Sequence, residues 1–202
     1  IRMAMPLQLG MRFLPKVLGE FRQENPEIRL DIIETGGISA LHMVEDEKLD
    51  IALTNYETGF SQKLNYRKLF TCECCFVTHI DHPLADRASV SMADFVDEPL
   101  VMLDSGFFVY RMVHDIYAKA NRKPNILHYS PYHHTIKNLV RNGLASTFLT
   151  RQAVLPDDHL VMIPLENPFY INSGIVTKKG RQIYDDERAL MAYLKDITRN
   201  LD

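Results

Sequence analysis

The stretch "IRMAMPLQLGMRFLPKVLGEFRQENPEIRLDIIETGG", Ile1–Gly37, changes its hydrophobic period twice, and that change decides the fold. Ile1-Arg2-Met3-Ala4-Met5 alternates bulky with small or charged residues, as a strand does. Pro6 to Gly10 then turns the chain into a segment with Leu14, Leu18 and Phe21 at helical spacing. Pro15 must lie in the first turn of that helix or mark a kink, and Asn25-Pro26 ends it, because the residue before a proline is pushed out of the α region. Ile28, Leu30 and Ile32 alternate with Arg29 and Asp31 as a second strand, and Gly36-Gly37 turns again. Strand, helix, strand in so short a span is the signature of a parallel pair with a crossover helix.

The pattern repeats outward. Ile38, Leu41, Val44 and Leu49 mark a helix with Ser39 near its start, followed by a strand over Leu49–Leu53. From about Thr71 a second series begins: Cys72–His79 as a strand, Leu100–Leu103 as another, then a helix with Val109, Met112, Val113, Ile116 and Ala120 inward, closed by Lys123-Pro124. Ile126–Ser130 is a strand; His133–Asn142 is a helix with Ile136, Leu139 and Val140 inward and Gly143 as its left-handed stop; Ser146–Thr150 is a strand. After Leu160–Leu165, Glu166-Asn167-Pro168 reads as a break and Tyr170–Lys178 as a strand. The chain ends in a helix with Leu190, Leu194, Ile197 and Leu201 on one face. Strands alternating with helices predict an α/β fold with mostly parallel sheet covered on both faces.

Composition bounds the function. The 202 residues suit one domain or two small ones; 46% are hydrophobic and 24% charged, enough to close a core. A net charge of −3 leaves no basic excess for nucleic acid or an anionic membrane. No apolar run is long enough to span a bilayer, and three cysteines make no disulfide framework, which suits a reducing, cytoplasmic compartment. The start at Ile1, directly in a strand pattern, reads as a segment of a longer chain.

All three cysteines fall in "TCECCFVTHIDHPLA", Thr71–Ala85, beside His79 and His82. A tetrahedral zinc site holds thiolates at ~2.3 Å from the metal, hence about 3.8 Å from each other. On one face of an extended strand, Cys72 and Cys74 would stand about 6.5–7 Å apart at ~3.3 Å rise per residue, and Cys75 would point the other way. No second cluster completes a ligand set, so a buried strand is the reading and no metal is expected. Nor is a catalytic constellation expected, since the chain contains no G-x-S-x-G, P-loop, HExxH or G-x-G-x-x-G.

"HPLA" at His82–Ala85, after a strand with Glu73, Phe76 and Val77, resembles the crossover segment in the effector-binding domain of LysR-type transcriptional regulators. It comes in register with "FLPKVLGEFRQENPEIRLDIIETG" at Phe13–Gly36, "EDEKLDIAL" at Glu45–Leu53, "ADFVDEPLVML" at Ala93–Leu103, "IKNLVRNGLASTFLT" at Ile136–Thr150 and "IVTKKGRQ" at Ile175–Gln182. The resemblance spans essentially the whole chain. It implies two Rossmann-like lobes built like a periplasmic binding protein, one of residues 1–74 plus 169–202 and one of 75–168, joined by two crossover strands with a ligand cleft between them. It also implies an N-terminal winged helix-turn-helix domain outside this chain, through which promoter DNA would be bound. One departure stands out: where the family often has a Gly-x-Gly-Ile run ending in proline, this chain has Gly143-Leu144-Ala145-Ser146 and ends at Thr150.

In open α/β sheets ligands settle beyond the carboxyl ends of the strands, where helix amino ends offer spare N–H groups. The polar turns fall there: Gln8 with Leu9, Gly36-Gly37, Thr54-Asn55, Ser105-Gly106-Phe107, Tyr132-His133 and Thr150. By resemblance these line an effector pocket, and the chemistry of backbone N–H groups and side-chain amides favours a small anion or a polar metabolite, most simply a carboxylate, with no cofactor. Each has a plainer reading: Gln8 as a turn cap, Gly37 as backbone geometry, Phe107 and Phe108 as core, and Arg151 as a surface residue rather than a ligand's counter-charge. The resemblance further implies a homodimer, or a tetramer in the full-length protein, with Val17, Phe21 and Ile32 at the interface. A stand-alone solute-binding protein of a transport system is the alternative.

Overall fold

β1 (Arg2–Met5) is buried at its last three positions and pairs in parallel with β2 (Asp31–Glu34) and with β3 (Ile51–Tyr56). A computed structural model describes residues 1–199 in two compact units, one of 1–71 with 171–199 and one of 72–170. These divisions fall two or three residues from the expected 74/75 and 168/169. Two long strands, β4 (Leu64–His79) and β8 (Leu160–Lys178), carry the chain from one unit to the other and back, as crossover strands. No helix among the described residues is long and apolar enough to cross a membrane.

In the first unit the strand order is β2-β1-β3-β8-β4, with β8 antiparallel to β3 from Ala52↔Val176 to Tyr56↔Asn172. The sheet is therefore mixed rather than mostly parallel. α1 (Leu7–Lys16) runs into a π-helical turn over Val17–Phe21 and a short α2 (Arg22–Glu24). The buried face is Leu9, Phe13, Val17 and Phe21, not the expected Leu14, Leu18 and Phe21; Leu18 is 47% exposed. A four-residue repeat drifts around a 3.6-residue helix, and the wider π turn absorbs that drift. Pro15 sits inside α1, near its end, where it withholds one i→i−4 bond just before the helix widens. Val17 and Phe21, expected at a dimer interface, instead fill this unit's own core, Phe21 lying 5.3 Å from the Tyr193 ring. Ile32 is half-buried on the edge strand.

α3 (Gly37–Glu45) buries Gly37, Ala40, Leu41 and Val44, and begins from Gly36 without a cap from Ser39. β2 starts after Ile28 and Leu30, so the second strand is shorter than its alternation suggested. α7 (Asp185–Ile197) packs Leu190 and Leu194 inward while Ile197 is half-buried; Leu201 lies outside the described residues. Arg181 bridges Glu187 of α7 to Asp50, which anchors the helix start to the residue preceding β3.

In the second unit the end of β4 pairs antiparallel with β7 (Thr147–Thr150), and β5 (Pro99–Leu103) pairs in parallel with β6 (Asn125–Ser130). α4 (Met92–Phe95) starts at a capping box, with the Ser91 N–H and hydroxyl both donating to Asp94 at 2.8 Å. α5 (Phe108–Lys119) buries Tyr117, while Ala120, expected inward, is exposed and Ile116 is half-buried. α6 (His133–Arg141) buries His133, Ile136, Lys137 and Val140, leaves Leu139 half-buried, and ends before Gly143 at φ 66°. Phe76, Phe95 and Phe148 form an aromatic core with ring centroids 5.1–5.7 Å apart, and the Tyr117 hydroxyl donates to the Phe95 carbonyl at 2.9 Å. The expected break at Glu166-Asn167-Pro168 is absent: β8 is continuous, and the three residues are simply exposed, where a proline forfeits no buried ladder bond. Cys72, Cys74 and Cys75 form no disulfide and are fully buried on β4, and burial pushes the Cys75 thiol up to about 11.

Candidate functional site

The first turn of α1 follows directly from β1 because Pro6, extended and with no N–H to lose, serves as its cap residue. The Pro6 carbonyl accepts from Leu9 and Gly10 at 2.9 and 2.8 Å, which winds the turn and leaves the N–H groups ahead of them without intrahelical acceptors. Gln8 therefore lies in the helix, not in a loop before it. Its side chain is buried, and its Oε1 has no hydrogen-bond partner. Leu9 points into the core at 1% exposure, so it is not available to a ligand. Gly36 and Gly37 are buried at the start of α3, where they offer backbone only.

Thr54 and Asn55, expected after the third strand, lie within β3, opposite Gly174 and Ser173 of β8. The strand is longer than its apolar run because polar residues continue the ladder. Thr54 is completely buried with its Oγ1 unpartnered, and Asn55 Oδ1 accepts from the Ser173 hydroxyl at 2.6 Å.

In the second unit His133 opens α6, buried except for 3% of its surface, with Nδ1 unpartnered and the Phe107 ring edge-on at 5.5 Å. Burial, with Lys137 one turn further on, pushes its pKa down to about 4, so the imidazole is neutral at physiological pH. Thr150 closes β7, buried with Oγ1 unpartnered. Gln152, in the single 3-10 turn that follows, presents a buried Oε1 without a partner. Gln152 was missed in the sequence because it stands in a turn between Arg151 and an apolar run, with no motif to distinguish it.

The remaining expected residues are not assembled in the same way. Ser105 is exposed, the Gly106 N–H already donates to Asp104 Oδ1 at 3.0 Å, and Phe107 belongs to the core at 8% exposure. Tyr132 is 66% exposed at the cap position of α6, its N–H bonded to Ser130 Oγ at 3.1 Å. Neighbouring cations are committed: Lys137 donates to Asp158 at 2.7 Å and to the Ala153 carbonyl at 3.3 Å, and Arg151 pairs with Glu73 at 2.6 Å. Among the described residues no group of three or more His, Cys, Asp or Glu side chains is placed to hold a metal ion.

A burial cost attends each unpartnered atom, on the order of 1–3 kcal/mol. Four of the five, on Gln8, Thr54, His133 and Thr150, belong to positions that the strand-end argument selects. Such groups are what a polar ligand satisfies.

The model of the LysR substrate binding domain matches residues 1–199. Among curated relatives, the HTH-type transcriptional regulator YwbI of Bacillus subtilis is 25% identical over 202 residues, covering 96% of this chain and 65% of that protein. The transcriptional dual regulator GltC of the same organism is 26% identical, covering 91% and 62%. The chain thus spans less than two-thirds of each. Of solved structures, the regulatory domain of Synechocystis CcmR in complex with 2-PG superposes with a TM-score of 0.88 at 19% identity, covering 100% of this chain and 98% of that one. The effector binding domain of QuiR in complex with shikimate does so at 0.81 and 16% identity, covering 98% and 96%. At these identities the structural likeness is one of fold, and the match to the family model over nearly the whole length places the chain in the LysR substrate-binding domain family.

Proposed function

We propose that this chain is the effector-sensing part of a transcription regulator that binds a small polar metabolite; within each unit taken by itself, the candidate contacts are the unpartnered groups of Gln8 and Thr54 in the first and of His133 and Thr150 in the second. The burial of four uncharged polar side chains without partners, at strand ends and helix starts, is the observation that carries this reading. CcmR with 2-PG and QuiR with shikimate support it, as domains of the same fold solved with small effectors. DNA binding by another part of the protein, residence in the cytoplasm and self-association as a dimer or tetramer belong to the same proposal. The chain acts by binding rather than turnover, and the family's membership among regulators weighs against a transport role.

Binding has to favour one arrangement of the protein over another, since equal affinity for both shifts nothing. A thermal-shift screen tests the reading: a ligand at ~100 times its dissociation constant adds about 2.7 kcal/mol of stability. Gln8→Ala should abolish the shift while leaving the unliganded melting temperature unchanged or higher, because it removes an unsatisfied buried atom. Turnover of a screened compound, or shifts that survive this and the Thr54→Val change, would refute it.

A further inference from the structure

The second unit holds an open groove of about 470 Å³ lined by α4, the end of α5 and the 165–169 stretch of β8, and every residue that lines it belongs to 72–170. Its buried lining is apolar and fixed in place. Val90 and Leu165 are held by the Val90 N–H donating to the Pro164 carbonyl and the Glu166 N–H donating to the Val90 carbonyl, both at 2.9 Å. Phe95 packs against the rings of Phe76 and Tyr117, with centroids 5.7 and 6.1 Å away. Met92, Ile116 and Phe169 line the rest, each half-buried. Among the polar residues, Ser91 has both its N–H and its hydroxyl committed to Asp94, which leaves Asn167 and Lys119 as donors. Lys119 ends α5, is exposed, and makes no ion pair among the described residues. No carboxylate of a described residue lines the groove.

We infer that this groove is a binding site for a small apolar monoanion, a body of about ten carbons with one carboxylate held at Lys119 and Asn167. It shares no residue with the candidate contacts of Gln8, Thr54, His133 and Thr150, and it does not rest on the effector reading. The volume falls within the roughly 300–1,000 Å³ of small-ligand pockets. Because the apolar lining is already in place, a hydrocarbon body displaces water from it without first having to order the site. The ammonium and the amide both donate, and a carboxylate accepts from both. The full charge of Lys119 exceeds the negative charge of about half a unit at the carboxyl end of the helix, and no acid in the lining cancels it. A cationic amphiphile would meet the same apolar surface with its head group repelled, so charge as well as apolarity selects the occupant.

The test uses the intact chain, with its methionine and isoleucine methyl groups labelled for NMR, titrated with decanoate, with decylamine and with acetate. Decanoate should move the Met92 and Ile116 methyl signals with a dissociation constant on the order of 0.1–1 mM, as about a dozen heavy atoms in an open groove allow. Decylamine should bind more weakly, and acetate should move neither signal. Lys119→Glu, a change at an exposed position, should weaken decanoate by about tenfold and strengthen decylamine. Ala120→Trp, also at an exposed position, should fill the groove and abolish both, while methyl signals away from the groove stay those of the folded protein. Equal binding of decanoate and decylamine, or decanoate binding indifferent to both variants, would overturn the inference. So would shifts confined to other methyl groups. Met92 and Ile116 signals that change with protein concentration alone would show that a second copy covers the groove instead, and silence at about 5 mM decanoate would show that it takes no such ligand. Either result overturns the inference.

Discussion

His133 shows how one residue couples burial and titration. Its folded pKa of about 4 lies below the unfolded value near 6.5, so the native state binds fewer protons than the unfolded chain in between. Stability from keeping the imidazole neutral is fully present above pH 6.5. It is lost as pH falls toward 4, by roughly 3 kcal/mol in all. His133→Gln should therefore flatten the decline measured by urea unfolding between pH 6.5 and 4.5, relative to the unmodified protein; an unchanged slope would show that the imidazole is not held neutral. That His133 rather than His134 would be the buried one was not legible in the sequence, because adjacent positions at a helix start differ by a 100° rotation that only packing fixes. Gln8 and Thr54 were legible as polar residues where apolar strands stop. Leu9, Gly106 and Tyr132 shared that position, yet their side chains or N–H groups were taken by the core, by Asp104 and by Ser130.

At the scale of elements, α6 is tied to the turns after β7 by a buried ion pair that no sequence pattern announces. Lys137 and Asp158 are separated by 21 positions, and both are nearly inaccessible. Asp158 accepts from Lys137 and from the Leu155 N–H, both at 2.7 Å, while its carbonyl accepts from Arg141; the Lys137 bond and the Leu155 N–H hold its carboxyl below the usual range against the cost of burial. Asp158→Ala strands Lys137 with only the Ala153 carbonyl, so it should cost about 3–5 kcal/mol in denaturant unfolding. Lys137→Met should cost less, because Arg141 stays beside the carboxylate at 3.4 Å. Equal costs for the two would contradict this asymmetry. Apolar period located every long helix, but it misjudged the face of α1, where a π turn resets the register. It also misread β8, where exposed Pro168 looks like a terminator and the strand runs through it. Both errors arise where tertiary packing overrides the local preference.

For the whole molecule, the ordered motifs carried the organisation further than any single element, because the two-unit plan depends on where the chain leaves a sheet and returns. It leaves along β4 and returns along β8, so residues 72–170 form a contiguous unit while the other unit is split in sequence. The contiguous unit contains a complete apolar interior: Cys75, Val77, Val101, Leu103, Ile136, Val140 and Leu149 together, and Phe76, Phe95, Phe148 and Tyr117 interlocked. Its β-ladder from Cys74↔Thr150 to Val77↔Thr147 and its β5–β6 pair close within the same residues. A polypeptide of about 100 residues with its own core buries enough surface to fold cooperatively. Residues 72–170 expressed alone should therefore give a single urea transition with a slope of about 1 kcal/mol per molar or more, and aromatic near-ultraviolet dichroism lost in the same transition. Phe148→Ala in that fragment removes the ring that touches both Phe76 and Phe95, at an expected 3–5 kcal/mol. That is enough to unfold a domain of marginal stability. A broad, probe-dependent transition in the unmodified fragment would show instead that its interior is completed only in the intact chain.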